Sequence, residues 1–101
     1  MNIFTEYEKA VIISLMKMIM EADAIIHPLE EEYLNSVLKK INVSNDFLNR
    51  YSPVSLHSCI ICLKAMNSKK KDIVNIFMKE MSEADGYVDY RELELIHRIA
   101  L

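Results

Sequence analysis

The sequence predicts an all-α fold, a bundle of five to six helices built as two pseudo-symmetric helix–acidic turn–helix halves. Three observations predict it. Apolar residues make up 51% of the 101 residues, with one Gly and two Pro. That composition excludes disorder and leaves few breaks for long helices. The apolar residues recur three and four positions apart, and no stretch alternates as a strand would. Finally, Glu21, Ala22 and Asp23 recur as Glu83, Ala84 and Asp85, an offset of 62 that Lys17/Lys79, Glu30/Glu92 and Glu32/Glu94 also keep. Similarity at one fixed offset marks a repeated supersecondary unit. The chain reads as a single domain over 1–101, with halves at about 5–41 and 68–101 joined by helices within 44–67.

The first helix is expected over 5–22. Thr5 can cap it, and Glu8 three residues on completes a capping box. Tyr7, Val11, Leu15, Met18 and Ala22 form one apolar face, and Ile12, Met16 and Ile19 another. A helix apolar on most sides belongs at the centre of a fold. The second helix starts at Pro28, which is preorganised for a first helical position, and runs to about Ile41. Leu29, Tyr33, Val37 and Ile41 mark its expected inner face. Ser44 can cap a short helix holding Phe47, Leu48 and Tyr51. Ser52-Pro53 is expected to open the next helix, which carries Leu56, Ile60 and Leu63 to about Met66. Asn67-Ser68 reads as a break before a helix over 70–84 with Ile73, Val74, Phe77, Met78 and Met81. Asp89 and Glu92 form a second capping box, and a last helix from Tyr90 turns Leu93, Ile96 and Ile99 or Ala100 inward.

Bulk properties narrow the function. The net charge of −3 argues against non-specific nucleic-acid binding. The apolar stretch 10–20 is broken by Lys17, is too short to span a bilayer, and is preceded by Glu6 and Glu8, unlike a signal peptide. A cytoplasmic protein without membrane insertion is the expectation. Cys59 and Cys62 alone are no disulfide framework. With His57 they fall short of the four ligands of structural zinc, and no strand precedes them as in a thioredoxin motif. The methionines sit in helical apolar patterns and read as core. Lys69, Lys70 and Lys71 read as a solvated face. No Ser-His-Asp arrangement, glycine-rich phosphate loop or acid–base pair is present, so no catalytic residue is named and no enzyme is expected.

The acidic turns are what remains. If Gly86 is the sharp-turn glycine of a calcium loop, Glu83, Asp85, Asp89 and Glu92 fall on its third, fifth, ninth and twelfth positions. The first position, normally Asp, is Met81 in this copy and Ile19 in the other, and the first turn has Ala24 and His27 in place of Gly86 and Asp89. Neither turn alone supplies the roughly six to eight oxygens that calcium prefers. The candidate metal residues are therefore Glu21, Asp23, Glu30, Glu83, Asp85, Asp89 and Glu92, pooled from both turns around a divalent cation, calcium or magnesium. Pooling requires Asp23 and Asp85 on one face, within about one Debye length, roughly 8–10 Å. The structural alternative is that carboxylates at a helix start simply cap it and suit its dipole. That accounts for Asp89 and Glu92. It does not account for Glu21, Asp23, Glu83 and Asp85, which end a helix, where negative charge is unfavourable by up to about 1 kcal/mol each.

A helix ending in Ala-Asp-Gly, an apolar residue two on and an acidic helix start resembles the TerB-like family, named after a tellurite-resistance protein. Related domains stand at the N-terminus of the DjlA type of J-domain cochaperone. The resemblance spans nearly the whole chain, and Asp23, Glu30, Asp85, Gly86 and Glu92 match the family's positions. Ala24 departs from the usual glycine. The resemblance implies a bundle of two related halves without catalytic activity. It also implies a role in stress response through metal sensing or protein assembly. A protein partner is the expectation, a homodimer included. The alternative is a plain interaction or dimerisation module with purely structural turns.

Overall fold

The computed structural model describes residues 3–22, 27–84 and 90–100, without the side chains of residues 90, 92 and 100. Asp23, Asp85 and Asp89 therefore lie outside the described residues, as does the Glu92 side chain with the second capping box. The described residues form an all-α bundle: α1 (Glu6–Glu21), α2 (Pro28–Lys40), α3 (Asn45–Arg50), α4 (Leu56–Ala65), α5 (Ser68–Glu83) and α6 (Tyr90–Ala100). None of these helices is long and apolar enough to cross a membrane.

α1 is the central element and packs against α2, α4, α5 and α6. Its Thr5 capping box with Glu8 is complete. Val11, Ile12, Ile13, Leu15, Met16 and Ile19 have no exposed surface, so burial encircles the helix. Tyr7 departs from the expected face: it is 54% exposed in the first turn, at the edge of an open cleft shared with Ser58 and Ile61 of α4. In α2 the buried side chains are Glu30, Leu34, Val37 and Leu38, followed by Ile41. The expected four-residue ladder was rotated: Leu29 is exposed and Tyr33 only half-buried. A strict step of four drifts round a helix of 3.6 residues per turn, and α2 must face both α1 and α5. α2 ends in a Schellman motif: the Asn42 and Val43 N–H groups donate to the Lys39 and Leu38 carbonyls, with Asn42 at φ 59°.

Ser44 caps α3 as expected, and Phe47 is buried beneath it. The start of α4 differs from expectation. Ser52 and Pro53 are exposed and non-helical, and the N-cap is Ser55, whose hydroxyl accepts from the Ser58 N–H. Extended chain before it lets the Val54 N–H donate to the buried Ser14 hydroxyl of α1 at 3.0 Å. Asn67 is likewise a cap and not a break: its side chain accepts from the Lys70 N–H, so α5 begins at Ser68 and contains the lysine run. Val74, Phe77, Met78 and Met81 are buried as expected. In α6, Ile99 is buried, Ile96 half-buried and Leu93 43% exposed, against the expectation for Leu93. The five methionines at 16, 20, 66, 78 and 81 are core.

The offset of 62 also relates the helix bounds. It carries the limits of α1 onto those of α5, and the start of α2 onto that of α6. On the inner face burial follows it: Ile12 and Val74, Met16 and Met78, and Ile19 and Met81 are all without exposed surface, whereas Ala10, Ile13 and Ser14 are buried and Asp72, Asn75 and Ile76 exposed. The packing follows it too, with α1 on α2 matched by α5 on α6, and α2 on α5 matched by α6 on α1. Where the first turns of α1 and α5 meet, Lys70 Nζ lies 2.8 and 3.1 Å from the two oxygens of Glu8, itself 62 positions away. Burial alone would push the Glu8 carboxyl up. The Lys70 ammonium with the Thr5 N–H and hydroxyl outweighs that and holds it below its ordinary value.

Candidate functional site

The acidic turns sit where α1 and α5 stop and α2 and α6 begin. Both first helices stop alike. Ala22 and Ala84 end them in helical geometry (φ −62°, ψ −31° and φ −61°, ψ −32°), with their N–H groups donating to the Ile19 and Met81 carbonyls at 3.3 Å. Glu21 and Glu83 are exposed, and neither last turn holds a basic residue. The negative end of each helix dipole therefore meets a carboxylate and no cation from its own turn. Ile19 and Met81 are fully buried core residues, so neither supplies the first ligand of a calcium loop.

Glu30 is different in kind. It is the third residue of α2, only 1% exposed, and its Oε1 has no hydrogen-bond partner among the described residues. A buried carboxylate oxygen left unpaired costs roughly 1–3 kcal/mol, and more when charged. Its neighbours Glu31 and Glu32 are exposed. α2 itself opens as its sequence suggests, with Pro28 in the first turn and the Glu30 and Glu31 N–H groups bonded to the His27 carbonyl.

Two clefts flank the end of α1. One, about 490 Å³, runs between α1 and α2 over Met20 and Leu34, with Lys17, Glu21, Glu31 and Asn35 around it. Lys17 also lies 5.5 Å from the Tyr51 ring centroid. The other, about 360 Å³, is lined by Met18 and Ala22 of the α1 end and by Arg91, Glu94, Leu95 and Arg98 of α6. Ala22 precedes the first acidic turn and Arg91 closely follows the second, so this cleft brings flanks of both turns together. Of the candidate metal residues, the structure places Glu21 and Glu83 on exposed helix ends and Glu30 in the interior. Among the described residues, no group of three or more His, Cys, Asp or Glu is arranged to hold a metal ion.

Arg91 and Arg98 were not singled out by sequence reasoning. Their signal was the helical spacing of seven on α6, which puts both guanidiniums on one face. Glu8 and Lys70 were also missed as a pair. The signal was the matching caps Thr5–Glu8 and Asn67–Lys70, which keep the offset of the acidic repeat. The surroundings of both cysteines favour the thiol over the thiolate. Cys59 is buried against the Val11 and Val54 carbonyls. Burial, then the nearby Cys62, pushes its thiol up to about 11. Burial, then Glu8, also raises the half-buried Cys62, with Lys70 acting in the opposite direction. Comparisons of the chain with protein-family models, with curated proteins and with solved structures find no match.

Proposed function

We propose that this chain is a non-enzymatic, TerB-like stress-response domain of two related halves, whose acidic turns bind a divalent cation. Glu30 carries the reading. A carboxylate folded into an α-helical interior with an unpaired oxygen has the chemistry of a ligand group awaiting a hard cation. Glu21 would add oxygens from the α1 end, as would Asp23 beyond the described residues. Glu83, Asp85, Asp89 and Glu92 are the corresponding groups of the second turn. The offset shared by helix bounds, burial and packing supports two related halves. A bound cation would offset the negative charge at both helix ends and fix the angle between each helix pair, which would couple cation level to the shape offered to a protein partner.

A second reading has its own support. Arg91 and Arg98 line the cleft that adjoins Ala22, and guanidiniums there oppose a cation and suit turn carboxylates as ion-pair partners. On this reading the turns are structural and the domain is an interaction module.

Calorimetric titration with calcium, magnesium, manganese and zinc separates the two. The cation reading expects saturable binding that Glu30→Gln weakens at least about tenfold and Asp23→Asn with Asp85→Asn abolishes. Absence of heat up to about millimolar metal, in protein whose helical circular dichroism is native, refutes it and leaves the turns structural.

A further inference from the structure

We propose that the outer face of α5 is a contact between two copies of this chain, packed antiparallel about a two-fold axis. The face is a stripe of exposed side chains, Lys69, Asp72, Ile76, Lys79 and Glu83, at alternating spacings of three and four. That spacing keeps them on one side of a helix. Ile76 at its middle is 53% exposed, and Ile73 beside it is half-buried.

The other half of the molecule makes this exposure informative. At the offset of 62, Ile76 corresponds to Ser14 of α1, which is 5% exposed and bonded to the Val54 N–H of the segment leading into α4. The middle of this face is thus covered on α1, at Ala10 and Ser14, and open on α5, at Asp72 and Ile76. The open copy carries the larger apolar side chain.

The order of charges selects the occupant. Along α5 the stripe reads positive, negative, apolar, positive, negative. Reversed onto itself, it sets Lys69 against Glu83 and Asp72 against Lys79, and Ile76 meets its own copy. A two-fold axis repeats each ion pair, which is what an isologous contact requires. In a parallel, in-register arrangement every charge would face its like. A small apolar centre with complementary charges at the rim fixes orientation and register more than affinity. The face is one helix wide, so the expected dissociation constant is on the order of 10⁻⁵ M or weaker. The proposal is independent of the cation reading.

The test is sedimentation velocity on the full chain without added metal, across a concentration series reaching about millimolar. The wild type is expected to pass from monomer to dimer. Asp72→Lys and Lys79→Asp each set like charges together twice, and each should weaken the dimer about tenfold or more. The double variant and a 1:1 mixture of the two single variants each restore opposite charges at both sites, and both should recover association. Ile76→Ser, which imposes the residue that α1 carries, should weaken it without a change of sign. Circular dichroism checks that every variant stays folded. A wild type that remains monomeric throughout the series overturns the proposal. So does a dimer indifferent to the single reversals, or one that neither the double variant nor the mixture restores.

Discussion

Replacing Lys70 by Met removes one end of the bridge between the first turns of α1 and α5. The ammonium holds both Glu8 oxygens, at 2.8 and 3.1 Å, and the two side chains are only 20% and 14% exposed. Breaking a fully buried pair costs about 3–5 kcal/mol, chiefly by stranding the partner charge. Water still reaches part of this pair, so about 2–3 kcal/mol is expected for Lys70→Met. Glu8→Gln should cost about as much, since its amide oxygen can still accept from the Thr5 N–H while its charge is lost. The double variant should fall short of the sum by about 1–2 kcal/mol. Urea denaturation at neutral pH, with an unchanged m-value, measures all four corners of the cycle. The pH dependence has a definite sign. The Glu8 carboxyl is held below its ordinary value in the folded state. Its contribution is therefore complete above the unfolded pKa, about 4.3, and lost as pH falls through the lower folded value. Lys70→Met should flatten that acid limb. Costs that add to within about 0.5 kcal/mol would refute the reasoning and leave the α1–α5 junction to apolar packing alone.

Two further outcomes follow from local geometry. Asn42→Ala should destabilise the fold by about 1 kcal/mol, because φ is 59° there and a Cβ resists the left-handed region. Asn42→Gly should not, and a thermal melt of the two variants decides it. Cys59 should stay unmodified by a thiol reagent in the native protein near neutral pH and react once unfolded. Its folded pKa of about 11 lies above the ordinary value, so its contribution is complete below the unfolded pKa and is lost as pH rises through the folded one. Rapid native labelling of Cys59 would contradict its burial.

The fold was legible where local chemistry decides. Thr5 with Glu8, Ser44 and Pro28 began helices where they should. Legibility failed where tertiary demands chose between equivalent local signals. Ser52 and Ser55 are both good caps, and the bond from Val54 to Ser14 favours the later one. Leu29 and Leu93 are as apolar as their buried neighbours, and only the direction of packing leaves them outside. At the candidate site, sequence marked the carboxylates but not their environments. Glu30 and Glu31 are chemically alike and adjacent, yet one is buried and the other exposed, because a step of one residue turns a helix by about 100°.

The encirclement of α1 has a consequence for how the molecule comes into being. The helix is made early, but the residues that close around it extend to Ile99. At roughly 5–20 residues per second, several seconds separate the synthesis of α1 from that of its last cover. Throughout that interval a helix apolar on most sides has only part of its shell, with α2 and then α4 before α5 and α6. Within the span 10–20 only Ser14 and the single charge Lys17 then interrupt its apolar surface. The nascent chain is thus most exposed to wrong partners at the very segment that the finished protein hides most completely.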